Sequence, residues 1–226
     1  MESEVIFVSY DEPEADLNFQ RLLEFRPTAR RLSGIKGIGH AYYTAAEVAQ
    51  TPTFFLLDAD NWIIDGFDFN NSELSIEADI RIWKTQNAVN GLLHYNGGLK
   101  LLRREAVLHC DRDAVDIFMT MKGTRRFLNH VASENRFNAS PFQAFRTAFR
   151  ECAKLSSGLH PVPYAGELLR IWCNAGGEQK NGIWCIKGAR AGVDTGRTCR
   201  NMAMLNLIND AEFLKDQFYK NGGDAV

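Results

Sequence analysis

The chain has 226 residues, 45% of them hydrophobic and 24% charged, the composition of an ordinary globular protein with material for one large domain or two small ones. Its 26 Lys and Arg against 28 Asp and Glu leave a formal net charge of −2, which excludes a polycation; any contact with nucleic acid needs a local basic face. Five widely spaced cysteines, odd in number and without a Cys-x-x-Cys pair, argue against zinc and disulfide frameworks and for buried thiols in a reducing cytosol. There is no basic-then-apolar leader, and no run approaches the roughly 18 apolar residues of a membrane span, so a cytoplasmic location is expected.

Val5-Ile6-Phe7-Val8-Ser9-Tyr10 reads as a buried strand closed by the turn Asp11-Glu12-Pro13. Residues 16–25 carry Leu17, Leu22, Leu23 and Phe25 among polar neighbours, an amphipathic helix that Arg26-Pro27 ends. A short strand over 29–32 leads to Gly34-Ile35-Lys36-Gly37-Ile38-Gly39-His40. Its glycines permit tight turns and close approach of a phosphate or base, but the Gly-Lys-Ser/Thr ending of a P-loop is missing. A small-residue helix over 41–50 precedes Thr53-Phe54-Phe55-Leu56-Leu57, a buried strand with Asp58 and Asp60 at its carboxyl end. Side chains at i and i+2 share one side of an extended chain, so the two carboxylates can converge on a Mg²⁺ or Mn²⁺ ion where ligands of open α/β sheets sit. A strand ending in a polar turn has the same letters.

The acidic, aromatic stretch 61–80 reads as loop with short strands, Ile80-Arg81-Ile82-Trp83 as a strand, 87–93 as a short helix, and Leu99-Lys100-Leu101-Leu102 as a strand entered through the turn Tyr95-Asn96-Gly97-Gly98. From residue 119 the chain turns basic, with phenylalanines interleaved. Pro141 opens a helix capped by Ser140 or Asn138 and running to about Leu155. On it Arg146, Arg150 and Lys154 make one face and Phe142, Phe145 and Phe149 a buried one; the basic stripe either contacts phosphate or is solvated beside Glu151. Residues 168–173 read as strand or helix, and 182–188 as a strand. Residues 189–200 are expected to be a loop whose Arg190, Arg197 and Arg200 close over a ligand, and 202–219 a terminal helix.

Several short stretches together resemble the nucleotide-binding half of GT-A glycosyltransferases of the family 2 type, and in particular short bacteriophage-encoded ones. They are Phe7-Val8-Ser9-Tyr10-Asp11-Glu12-Pro13, Gly34-Ile35-Lys36-Gly37, Phe55-Leu56-Leu57-Asp58-Ala59-Asp60, Gly97-Gly98-Leu99-Lys100-Leu101, Ala148-Phe149-Arg150-Glu151-Cys152 and Ile208-Asn209-Asp210, with Trp83-Lys84 and Gln86-Asn87-Ala88-Val89-Asn90-Gly91 between them. The resemblance implies an α/β GT-A (Rossmann-like) mixed sheet flanked by helices, with a helix-rich carboxyl-terminal portion. It divides the chain into a nucleotide-sugar-binding core over 1–118 and an acceptor-side and lid portion over 119–226. By the same resemblance Asp11 and Glu12 lie near uridine and ribose, and Lys36 and Gly37 near base or phosphates. Gly97 and Gly98 approach the donor sugar, Arg150 contacts the diphosphate or an acceptor's phosphate backbone and is counted with the cofactor-binding residues, and Asp58 and Asp60 bind the Mn²⁺ or Mg²⁺ ion.

The implied activity is transfer of a sugar from a nucleoside-diphosphate sugar, a UDP-sugar foremost, to a hydroxymethylated or hydroxylated pyrimidine in phage DNA. Related inverting enzymes place a general base after the glycine turn as Glu-Asp, a pair this chain lacks. Asp113 or Asp116 falls in that region; Asp116 is the choice, Glu151 the second candidate, and His160 a candidate third metal ligand. A nucleotidyltransferase using a nucleoside triphosphate would also use Asp-x-Asp, and a non-enzymatic nucleic-acid-binding protein would account for the basic aromatic region without the carboxylate pair.

Overall fold

The computed structural model describes residues 2–70, 77–159 and 162–224. The chain forms two compact units, Met1–Asn87 with Leu93–Arg136, and Ala88–Leu92 with Phe137–Val226.

The first unit is built on a mixed sheet of eight strands: β1 (Glu4–Ser9), β2 (Arg30–Ser33), β3 (Thr53–Asp58), β4 (Asn61–Ile63), β5 (Ile80–Asn87), β6 (Leu93–His94), β7 (Lys100–Arg103) and β8 (Arg125–Asn135). They run in the order β2-β1-β3-β7-β5-β8-β4, with β6 paired to β5. Strands β2, β1 and β3 are parallel, joined through helices α1 (Ala15–Phe25) and α2 (Ile38–Val48), the crossover arrangement of Rossmann-like sheets. β7 is antiparallel to both β3 and β5, and β8 runs parallel to β5. Short helices α3 (Arg104–Leu108) and α4 (Ile117–Thr120) follow β7.

Alternation along the central strands sorts the core into two layers. Val5, Phe7, Phe55, Leu57 and Leu101 join Leu22 of α1 on one face; Ile6, Val8, Phe54, Leu56 and Leu102 join Tyr42, Ala45 and Ala46 of α2 on the other. The alanines let α2 lie close to the sheet, and Asp58, two residues beyond Leu56, points toward the α2 layer.

The second unit is helical. It contains α5 (Pro141–Ser156), α6 (Ala165–Trp172), α7 (Gly182–Thr198), α8 (Met202–Leu205), a 3-10 turn (Asn206–Asn209) and α9 (Ala211–Lys220). Ser140 caps α5, its hydroxyl accepting from the Gln143 N–H at 3.2 Å, and Phe142, Phe145 and Phe149 are buried against Phe213 and Phe218 of α9.

The α/β class, mixed sheet and helix-rich carboxyl-terminal portion agree with the sequence reading. Three local expectations are corrected. Residues 87–93 are the end of β5, a turn and the start of β6 rather than a helix, because Thr85 and Gln86 ladder to His94 and Leu93. Residues 182–198 are one helix, not a strand and a loop, so Arg190 and Arg197 sit on a helix instead of a lid. The terminal helix over 202–219 is broken at Asp210, which caps α9 by accepting from the Phe213 N–H at 2.7 Å. The sequence reading also passed over β8, which lies in the first unit.

Candidate functional site

Because β1, β2 and β3 are parallel, their carboxyl ends open on one edge of the sheet, and residues 10–12, 34–37 and 58–60 leave the strands there. β7 runs the other way, so the turn that feeds it, carrying Gly97 and Gly98, arrives at the same edge, where Lys100 stands opposite Leu56. Thus the topology brings Asp11, Glu12, Lys36, Gly37, Asp58, Asp60, Gly97 and Gly98 to one edge. There Glu12 folds back to accept the Tyr10 N–H at 2.8 Å, Asp11 and Lys36 are exposed, and Gly37, at φ 92°, sets the entry to α2.

The centre of the edge is a buried charge. Lys100 is 1% exposed, and its Nζ donates to Asp58 Oδ2 at 2.9 Å, to the Tyr42 hydroxyl at 2.9 Å and to the Gly98 carbonyl at 2.8 Å. All three donors of the ammonium are therefore satisfied, which is the condition for keeping a lysine inside a core. The Tyr42 hydroxyl faces Asp58 as well, 2.7 Å and 2.8 Å from its two oxygens. Complete burial, and then the negative charges of Asp58, Asp116 and Asp60, hold the Tyr42 phenol well above its ordinary value, so it stays protonated and donates. Phe118, two residues after Asp116, packs edge-on against the Tyr42 ring with 5.6 Å between centres, which brings the start of α4 to the same phenol.

The acidic turn is fixed from both sides. Asn18 of α1, buried, donates to the Ala59 carbonyl at 2.8 Å, and the Arg136 N–H donates to the Asp60 carbonyl at 2.6 Å. Asn61, fully buried, donates to Asp60 Oδ1 at 2.9 Å and to the Gly97 carbonyl at 2.6 Å, while its Oδ1 accepts from Ser133 at 2.8 Å. The glycine turn is therefore tied to the Asp-x-Asp turn twice, through Asn61 at Gly97 and through Lys100 at Gly98. Gly97 has φ 72°, a left-handed conformation that favours glycine, and a Cβ on Gly98 would come 2.9 Å from Thr85 Cβ. The Arg136 guanidinium lies 4.1 Å from the Trp62 ring centre, beside this turn.

Asp116 reaches the site on residues 110–116, which lie against the start of α2. A Cβ on Gly39 would sit 2.1 Å from the Arg112 carbonyl oxygen, and His40 Nε2 is 2.9 Å from Asp113 Oδ1. Asp116 caps α4 through Oδ1, which accepts the Phe118 N–H at 3.0 Å. Glu151 and Arg150 lie on α5 in the second unit, Glu151 paired with Lys154 at 2.6 Å and Arg150 donating to Asn209 Oδ1 at 2.7 Å. His160 lies outside the described residues.

Tyr42, Asn61 and Lys100 escaped the sequence reading as site residues. For Lys100 a signal existed: a lysine within Leu99-Lys100-Leu101-Leu102 on a strand buried on both faces requires a buried counter-charge. As placed, the Asp-x-Asp pair does not fit a cation gripped by both carboxylates. Both Asp58 oxygens accept hydrogen bonds, and an ammonium already stands on one of them. Two unit charges about 4 Å apart repel by about 4 kcal/mol at an effective dielectric of about 20, and a divalent ion would double that. Among the described residues no group of three or more His, Cys, Asp or Glu side chains is arranged to hold a metal.

Fold and edge together define a Rossmann-like α/β protein with an acidic, glycine-flanked edge at the carboxyl ends of its parallel strands. No family model matches the chain, and no curated protein matches it. Among solved structures it is similar to the mannosyltransferase PcManGT from Pyrobaculum calidifontis, in complex with GDP-Man and Mn²⁺, at 13% identity over 96% of this chain and 86% of that one, with a TM-score of 0.41. It is similar to S. aureus TarS 1-349 in complex with UDP at 10% identity over 99% and 94%, TM-score 0.41. It is also similar to HddC from Yersinia pseudotuberculosis complexed with GMP-PN at 11% identity over 57% and 91%, TM-score 0.41. No helix among the described residues is long and apolar enough to cross a membrane.

Proposed function

We propose that the protein is a GT-A-type glycosyltransferase that moves a sugar from a nucleoside-diphosphate sugar to a hydroxyl acceptor. The observation that supports this most is that the buried Lys100 joins Asp58, Tyr42 and the Gly98 carbonyl at the carboxyl edge, while Asn61 ties Asp60 to Gly97 and Phe118, next to Asp116, packs on Tyr42. Glycosyl transfer needs a positioned donor, a stabilised leaving diphosphate and one base. In this reading Asp11 and Glu12 take the nucleoside, Lys36 and Gly37 the phosphates, and the glycine turn approaches the sugar. Asp116 accepts the proton of the acceptor hydroxyl as its oxygen attacks the anomeric carbon and the nucleoside diphosphate departs. Glu151 is the alternative base, Arg150 is proposed to contact the diphosphate or an acceptor phosphate, and the basic stretch from residue 119 is proposed to serve the acceptor. A Mn²⁺ or Mg²⁺ ion, when bound, would neutralise the leaving diphosphate; the proposed holder is Asp60.

For the acceptor we propose a hydroxymethylated or hydroxylated pyrimidine in DNA, with the enzyme working in the cytoplasm of the cell that makes it. A base in duplex DNA would have to be turned out of the stack to reach the edge. The test is nucleoside mass spectrometry of DNA from cells that express the protein and contain a hydroxylated pyrimidine. A hexose or pentose mass increment that disappears with Asp116→Asn supports the whole reading. Release of pyrophosphate from a nucleoside triphosphate, with no sugar on DNA, would replace it with nucleotidyl transfer.

A further inference from the structure

We infer that Asp58 is the counter-ion of Lys100 and not a metal ligand, and that this buried pair is a positioning device joining the acidic turn to the glycine turn. Asp-x-Asp spacing alone makes the two carboxylates look equivalent, but their surroundings differ. Asp58 lies on the α2 side of the sheet, where Lys100 and Tyr42 contact its oxygens at 2.7–2.9 Å. Asp60 lies in the turn that follows β3, its backbone carbonyl held by Arg136 and its Oδ1 by Asn61.

Lys100 spans three separate pieces of chain. It joins Asp58 at the end of β3, Tyr42 in α2 and the Gly98 carbonyl in the turn before β7. The same ammonium that neutralises Asp58 therefore fixes the orientation of the Gly98 peptide. With Asn61 holding Gly97, the backbone proposed to face the donor sugar is set by two buried side chains rather than by the ligand. Lys100 also places its ammonium beneath the acidic edge, on Asp58.

The inference rests on the proposed function only in expecting a cation and a nucleoside diphosphate at this edge. The decisive test uses the wild-type protein, crystallised and soaked with manganese chloride and uridine diphosphate. Lys100 Nζ is expected to remain on Asp58 and Gly98, with any anomalous manganese peak on Asp60. Manganese bonded to Asp58 with the lysine swung away would overturn the inference. Crystals without manganese but with the Lys100–Asp58 contact intact would sustain it and instead remove the metal from the proposed function.

In solution, the paired substitution Asp58→Asn with Lys100→Met removes both charges together. Its manganese affinity, read from the free-ion electron paramagnetic resonance signal, should stay within about twofold of wild type. Its uridine diphosphate affinity, read by calorimetry, should fall at least fivefold because the glycine turn has lost its anchor. A tenfold loss of manganese affinity in a folded variant, or unchanged nucleotide affinity, would count against it.

Discussion

At position 100 a lysine occupies a place in a core strand that its neighbours would give to leucine, and the cost of burying it is met only because Asp58, Tyr42 and Gly98 each take one of its hydrogens. Removing one member leaves an uncompensated buried charge. Lys100→Met is therefore expected to destabilise the protein by about 3–5 kcal/mol, and the double variant with Asp58→Asn should recover a large part of that, both read from urea unfolding midpoints. A second residue-scale expectation concerns thiols. A hydrogen bond with the Cys152 thiol, opposed by partial burial and aided by Arg190 and Arg197, brings Cys173 down to about 7, whereas Cys152 is pushed far up and Cys185 up to about 12. Since the thiolate is the nucleophile, carbamidomethylation of the folded protein should fall on Cys173 ahead of Cys152 and Cys185, its rate rising through a midpoint near pH 7. Mass mapping of the alkylated cysteines checks both statements.

Among the elements, α7 shows how packing overrides local preference. Its glycines weaken an isolated helix, which is why residues 182–200 read as strand and loop. In the structure Gly188, Gly192 and Gly196 recur every four residues along the face laid on α5, where a Cβ at Gly188 or Gly192 would stand 2.2 Å or 2.3 Å from the carbonyl oxygens of Phe145 and Phe149. The spacing was visible in the sequence; that α5 would present its backbone to it was not. Gly192→Ala has no void to fill and must push two helices apart, so a loss of about 1–3 kcal/mol is expected despite the gain in helix propensity, measured by thermal unfolding. β8 escaped for a related reason: its basic residues and exposed Phe127 blur the alternation that marks a strand, and its ladder to β5 shifts register between Trp83 and Thr85.

For the molecule as a whole, stability in acid is expected to depend on the sheet edge opposite the candidate site. There the Asp79 carboxylate accepts the Thr124 N–H at 2.8 Å and the Thr124 hydroxyl at 3.0 Å, and pairs with Arg103 at 2.8 Å, joining the start of β5, the end of β7 and the entry to β8. The hydrogen bonds from Thr124, with the Arg103 charge, hold Asp79 below its ordinary value of 3.8. A lowered folded-state value means that the ionised form is favoured by folding. The contribution is complete above the unfolded value and is lost as pH falls through the folded one. Unfolding midpoints should drop below about pH 4, the range where unfolded aspartate titrates, and Asp79→Asn should lower stability at neutral pH while flattening that acid decline.

By itself the sequence determined the parallel β-α-β-α-β start of the chain, the buried phenylalanine face of α5 and the placing of an acidic pair at a strand end. These follow from periodicity, caps and strand composition, which are local properties. Tertiary structure alone decided that Tyr42, Lys100 and the Gly97-Gly98 turn would meet Asp58, that residues 110–116 would bring Asp116 to the same phenol, and that a glycine-rich segment would be a helix. Each of these depends on which distant segments pack together, and the energy that selects them, burial of a charge with its partner or of one backbone against another, exists only once the chain has closed on itself.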